Sequence, residues 1–204
     1  MAQIDYYFSL LSGFAYLAGS RLERIAAQHN ASITYKPYDI MALFDRLGAP
    51  KPADRPEGRK VYRTQELTRA AKKTGLPFKL DAAFWPTNPA PASYAVIAAA
   101  KAQTKTGSGD VAALIAQLNR AIWVEDKDIA DDAVITQALK EAGFDPMLSM
   151  TGLLEGAETY ARNLEDAFAA GVFGSPFYIV TDTDERFWGQ SSLEDLDLYL
   201  AGEL

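Results

Sequence analysis

Ser12 stands where a strand-forming run gives way to an apolar helical face, in Ser9-Leu10-Leu11-Ser12-Gly13-Phe14. A serine there can cap the helix by accepting a backbone N–H. The same place supports a second chemistry. A helix N-terminus favours an anion, and a hydroxyl beside it can donate to a bound thiolate. No His, Cys or Lys lies near Ser12 in sequence to act as its base. The single histidine, His29, falls at the far end of the same helical stretch and reads as a solvated residue complementing the helix dipole. A Ser-His-Asp triad is therefore disfavoured, and Ser12 reads as a donor to another molecule's nucleophile.

Ser175-Pro176, in Gly174-Ser175-Pro176-Phe177, stands just before a late strand. A cis prolyl bond there would free the Ser175 backbone to pair with an extended, peptide-like ligand; an ordinary trans proline opening an edge strand is the plainer reading. Gln190, Ser191 and Ser192 precede the last helix. They read as part of a capping box with Glu194, and also as a carboxylate site at a helix start. Residues 55–73 gather Arg55, Arg59, Lys60, Arg63, Arg69, Lys72 and Lys73 against only Glu57 and Glu66. A solvated helix face is the preferred reading of that run; attraction of a small anion toward a cleft is the sharper one. Trp85 and Asn88 lie in a proline-rich loop, while Trp123 and Trp188 lie on periodic segments and read as core.

The elements that must hold these residues follow from pattern. Residues 3–9 and 32–38 read as strands, and Phe14, Ala18, Leu22 and Ile25 trace one helical face between them. A Pro/Gly-rich connection covers 45–60. Helices are expected at about 60–74, 92–104, from Asp110, from Asp131 or Asp132 to Gly143, after Asp145-Pro146, and at about 153–170. The runs 177–180 and 185–188 form a hairpin, followed by a final helix. The order β-α-β, helical block, α-β-β-α is that of an α/β thioredoxin-like domain carrying a large all-helical insertion. The expected division is 1–42 with 153–204 as the discontinuous thioredoxin-like domain and 43–152 as the insertion. In folds of this order the reactive group sits at the first strand-to-helix turn, where Ser12 stands.

Composition narrows the chemistry. The 204 residues include no cysteine, which excludes disulfides, thiolate metal sites and protein-thiol redox cycling. Neither metal-ligand spacing nor a phosphate-binding glycine loop is present. The formal net charge of −7 disfavours nucleic acid as a partner. No secretory signal or membrane-spanning run is visible, so a cytoplasmic protein is expected.

Three segments together carry a resemblance. Asp5-Tyr-Tyr-Phe-Ser-Leu-Leu-Ser-Gly-Phe-Ala-Tyr-Leu-Ala, Trp123-Val-Glu-Asp-Lys-Asp-Ile-Ala-Asp, and Asn163-Leu-Glu-Asp-Ala through Gly171-Val-Phe-Gly-Ser-Pro with Phe187-Trp-Gly-Gln are similar to signatures of the 2-hydroxychromene-2-carboxylate isomerase family. That family is related to kappa-class glutathione transferases and, more distantly, to DsbA oxidoreductases. The resemblance implies a glutathione-dependent isomerase of aromatic catabolism, usually a homodimer, whose substrate is an aromatic hydroxy-keto acid. Its reaction opens a cyclic hemiketal and isomerises a double bond to give trans-o-hydroxybenzylidenepyruvate. It implies that Ser12 faces the glutathione sulfur, flanked by Gly13 and Phe14. It also implies that Pro176 is cis with Ser175 pairing to the glutathione backbone, and that Gln190, Ser191 and Ser192 hold the γ-glutamyl end. Ala49 stands where the family often has an asparagine beside glutathione. Phe44 stands near its substrate-contacting lysine, and Asn88 matches a loop asparagine facing the cleft. The chain departs from the family at Ser12-Gly13, in place of Ser-Pro, and at Ser191-Ser192, in place of Asp-Arg. A kappa-type glutathione transferase and a non-catalytic thioredoxin-fold binding protein are the alternatives.

Overall fold

The computed structural model describes residues 1–204. Strand β1 (Gln3–Phe8) forms the centre of a four-stranded sheet. It pairs in parallel with β2 (Ser32–Pro37) and antiparallel with β3 (Phe177–Val180), which in turn pairs antiparallel with β4 (Glu185–Trp188). The order β2-β1-β3-β4 is the thioredoxin-like arrangement expected. Alternation along β1 sends Ile4, Tyr6 and Phe8 into a large core and Tyr7 into a smaller one on the other face.

The stretch after β1 differs from the single helix expected. It divides into α1 (Gly13–Ala18) and α2 (Arg21–Gln28), because Gly19 takes a left-handed φ of 58° and its N–H closes onto Tyr16 O. The apolar stripe survives the break, with Ala18, Leu22 and Ile25 all buried. His29, at the end of α2, is not a solvated residue. Its Nε2 lies 2.6 Å from Asp197 Oδ1, and the side chain is 13% exposed.

Part of the stretch assigned to an irregular connection is helical. α3 (Ile40–Leu47) starts on Asp39, whose carboxylate accepts from Met41 N and Ala42 N, and stops at left-handed Gly48. It packs Ile40, Leu43 and Phe44 with Tyr7, Phe177 and Ile179 beneath the sheet. Position 43 thus falls within a helix that belongs to the sheet's own layers.

The remaining helices are α4 (Glu57–Thr74), α5 (Ala90–Thr106), α6 (Val111–Trp123), α7 (Asp132–Glu141), the short α8 (Leu148–Thr151), α9 (Leu153–Ala169) and α10 (Leu193–Ala201). Asp110 caps α6 through Ala113 N and Asp131 caps α7 through Ala133 N. Asp145 does not cap a helix directly; it closes a turn onto Met147 N, ahead of α8. The box expected at Ser191–Glu194 does not form either. Residues Gln190–Ser192 make a 3₁₀ turn, and the Ser192 hydroxyl donates to Trp188 O.

The larger core runs without interruption from the sheet into the helical block, joining Ile4 and Phe8 to Leu118, Ile122 and Trp123. Trp123 is buried as expected and stacks on Phe78 at 5.0 Å. Trp188 is not core: it is 52% exposed and stands edge-on to Phe173, 4.9 Å between ring centres.

Candidate active site

Three serines meet at the end of β1. Ser12 is the N-cap of α1, with its Oγ accepting from Ala15 N at 3.2 Å. The same hydroxyl donates to Ser175 O at 2.8 Å. Ser175 Oγ in turn accepts from Ser9 N at 2.9 Å. Residues 12 and 175 are 163 positions apart, yet both are only 8% exposed. The cap expected at Ser12 is therefore real, and the hydroxyl proton has a further partner across the site.

The loop that brings Ser175 there is fixed from below. Tyr38 N donates to Phe8 O, and the buried Tyr38 hydroxyl donates to Gly174 O at 2.7 Å. Gly174 leaves no room for a side chain, since a Cβ would lie 2.4 Å from Trp188 Nε1. The Ser175–Pro176 bond is cis, as is Trp85–Pro86.

Ser12 and Ser175 open onto a cavity of about 310 Å³. Phe14, Phe44, Ala49, Trp85, Phe173 and Trp188 line it. Arg55, Arg59 and Arg63 complete the wall. A larger space of about 680 Å³ continues from it, sharing Leu11, Met41, Pro52, Arg55, Arg63 and Trp85, and adding Asp39, Lys51, Lys60 and Thr64. The basic run is thus not simply a solvated face. Arg59 and Arg63 lie one turn apart on α4, and Arg55 lies a further four residues back in the approach to the helix. The four-residue spacing of Arg59 and Arg63 is the sequence signal that points those two one way; Arg55 precedes the helix in extended backbone and reaches the same wall through the fold.

Arg55 lies over the Phe44 ring at 5.3 Å. Arg63 lies over Phe14 at 6.0 Å and over Trp85 at 5.5 Å. Both guanidinium groups are half-buried, and neither has a carboxylate within 4.0 Å. Burial holds both pKa values below the ordinary arginine range, with Arg59 adding to the effect at Arg55, and Arg55 to that at Arg63. They remain cations, because arginine does not lose its charge in proteins. Trp85 is anchored by its own N–H, which donates to Leu11 O at 3.0 Å. The site therefore offers flat apolar walls, two partly desolvated cations without counter-ions, and two serine hydroxyls.

Other expected residues fall elsewhere. Gly13 is buried under the helical block, where a Cβ would meet Phe78 Cζ at 2.9 Å and Leu67 Cδ2 at 3.1 Å. Asn88 does not line the cavity; its side-chain oxygen accepts from Ala90 N at the start of α5. The Gln190 side-chain oxygen accepts from Arg21, and Ser191 is exposed.

Residues 3–201 match the family described as the DsbA-like thioredoxin domain. The chain belongs to that family. Two curated relatives are both named 2-hydroxychromene-2-carboxylate isomerase. One, from Sphingobium xenophagum, is 28% identical over 201 residues, covering 97% of each chain. The other, from Pseudomonas putida, is 28% identical over 198 residues, covering 93% of this chain and 90% of the relative. Among solved structures, a 2-hydroxychromene-2-carboxylate isomerase superposes with a TM-score of 0.78 at 23% identity, covering 98% and 95% of the two chains. The cytosolic disulfide reductase DsbM from Pseudomonas aeruginosa, solved with GSH, gives 0.69 at 21%, covering 98% of each chain. The DsbA-like fold is thus carried by a chain with no cysteine.

Proposed function

We propose that the protein is a glutathione-dependent isomerase acting on 2-hydroxychromene-2-carboxylate or a close aromatic hydroxy-keto acid, in the breakdown of aromatic compounds. The observation that carries this reading is the pairing of Ser12 with aromatic walls and counter-ion-free arginines in one cavity. The aromatic lining, Phe44 and Trp85 among it, suits a fused aromatic ring, and a carboxylate suits Arg55 and Arg63. Transferring the carboxylate out of water is offset by two charge-assisted contacts to groups already partly desolvated. The curated relatives' names supply the reaction class.

The residues present fit a bound thiol at one end. Ser12 and Ser175 each bring a hydroxyl to the cavity lining, and turning the Ser12 O–H from Ser175 O toward the cavity directs a donor at a sulfur. At the γ-glutamyl end the fit is weaker: Gln190, Ser191 and Ser192 do not line the cavity, the Gln190 side-chain oxygen accepts from Arg21, and the Ser192 hydroxyl donates to Trp188 O. Glutathione, when bound, would supply a nucleophilic sulfur for reversible addition to the conjugated double bond. Ser12 would favour the anionic form of that sulfur by hydrogen bonding. Arg55 and Arg63 orient the substrate carboxylate and stabilise negative charge that spreads onto the keto acid. Phe14, Phe44 and Trp85 exclude water and keep the ring planar against the wall. We infer a cytoplasmic homodimer as the working form.

The test is conversion of 2-hydroxychromene-2-carboxylate followed by absorbance, with and without glutathione, beside calorimetric titration of glutathione. Glutathione-dependent turnover is expected. Turnover that ignores glutathione removes the thiol from the reading. Binding of either compound without turnover points instead to a binding protein. Thioether formation from an aromatic chloride would mark a transferase.

A further inference from the structure

A second cavity lies away from the one just described and shares no lining residue with it. It measures about 480 Å³ and sits between the α1–α2 elbow and the first turns of α6. Most of its lining is apolar, including Ala15, Leu22, Leu76 and Ile115. Its polar groups are unusual in having so few partners. Asn119 is only 3% exposed, and its side-chain oxygen has no hydrogen-bond partner. Glu23 gives one carboxylate oxygen to the Tyr35 hydroxyl at 3.1 Å, while the other has no partner. Asp110 also lines the cavity, and one of its oxygens is used to cap α6.

No lysine, arginine or histidine lines this space. The positive end of α6 amounts to roughly half a charge, less than the Asp110 carboxylate that caps it, so the field of the lining is negative. A buried carbonyl or carboxylate oxygen left without a donor costs about 1–3 kcal/mol, more when charged. Both orphaned oxygens are acceptors, so the missing complement is a donor. Burial raises the Glu23 carboxyl above its ordinary range, as expected where no cation stands nearby.

We propose that this cavity is a second binding site, for a small organic cation: a primary ammonium on an apolar body. The ammonium has three N–H donors and carries the charge that Glu23 lacks as a partner. The apolar body lies against the alanine and leucine lining. The arginine-walled cavity would repel the same molecule, so the two sites select ligands of opposite sign.

Benzylamine is the probe, with benzyl alcohol and benzoate as neutral and anionic controls. Calorimetry on the full chain at pH 7 should show one benzylamine site, weaker binding of the alcohol and none of the acid in this cavity. Glu23→Gln, which keeps an acceptor for Tyr35, should weaken benzylamine at least about tenfold, within the range for a hydrogen bond to a charged group. A crystal of the wild-type protein soaked in benzylamine should show the nitrogen beside Glu23 and Asn119, which keeps the test open if the variant fails to fold. Absence of binding at about 10 mM, where a millimolar Kd would still give high occupancy, overturns the proposal. So does density showing only water in the cavity, benzylamine lodged elsewhere, or a folded Glu23→Gln variant that binds as well as wild type.

Discussion

Ser12 has two jobs that one substitution separates. Its hydroxyl caps α1 through Ala15 N and reaches Ser175 O across the site. Ser12→Ala should lower unfolding free energy by about 1–2 kcal/mol, the usual size of a lost cap with one buried hydrogen bond. If the hydroxyl also steadies a sulfur, kcat should fall more than about tenfold, the equivalent of 1.4 kcal/mol at the transition state. Urea unfolding and steady-state rates on the same preparation check both. An unchanged kcat beside lowered stability would leave Ser12 as a cap alone.

Glu23 gives a second prediction at this scale, with a definite sign. Its folded-state pKa is raised above the ordinary 4.5, chiefly by burial, so between 4.5 and the raised value the folded chain keeps a proton that the unfolded chain releases. Stability from this group is present below that window and lost as pH rises through it. Glu23→Gln should therefore flatten the stability–pH curve on the alkaline side of 4.5 and leave the protein more stable at pH 7. Denaturant midpoints across pH 4–8 would show it; an unchanged slope would refute it.

At the scale of elements, α4 and the turn before it carry the site's charge and α9 sets the spacing of the block. Arg63 is half-buried without a counter-ion, so Arg63→Met should leave stability unchanged or slightly raised. The same change should raise KM for the carboxylate substrate by about tenfold or more, as loss of a charge-assisted contact does. The α5–α9 crossing is closer than side chains allow. A Cβ on Gly156 would lie 2.8 Å from Tyr94 Cα and 2.9 Å from Tyr94 O, and one on Gly152 would lie 2.3 Å from Ala98 Cβ. Backbone atoms cannot rotate away. Gly156→Ala gains up to about 1 kcal/mol of helix propensity but forces the helices apart, an overpacking cost of about 1–3 kcal/mol. Net destabilisation is expected, visible as a lowered Tm.

For the whole molecule, the charge distribution matters more than its sum. The chain bears −7, yet its cleft is lined by Lys51, Arg55, Arg59, Lys60 and Arg63 against the single carboxylate of Asp39. If net charge ruled, added salt would screen repulsion and raise kcat/KM for an anionic substrate. If the cleft's local field rules, added salt should lower it, because screening tightens from about 30 Å at 0.01 M to about 8 Å at 0.15 M. The second slope is expected, and a salt titration of kcat/KM decides it.

Much of this was legible in one dimension. Alternation in β1, the hairpin at 177–188 and the Asp110 and Asp131 caps are local patterns, and local sterics and hydrogen bonding enforce them wherever they occur. Ser12 and Ser175 stood out for the same reason, each at a junction of elements. The absence of cysteine settled by composition that this DsbA-like chain has no thiol of its own. What the chain order could not carry was direction. Whether Arg55 and Arg63 met solvent or the cavity depended on how α4 docks over α1, and whether Trp188 was core depended on Gly174 and Phe173 lying beside it. The break at Gly19 and the pairing of His29 with Asp197 likewise needed partners from elsewhere in the fold. Secondary structure follows from neighbours along the chain, whereas the environment of a long polar or aromatic side chain is set by surfaces that meet only after the chain has closed.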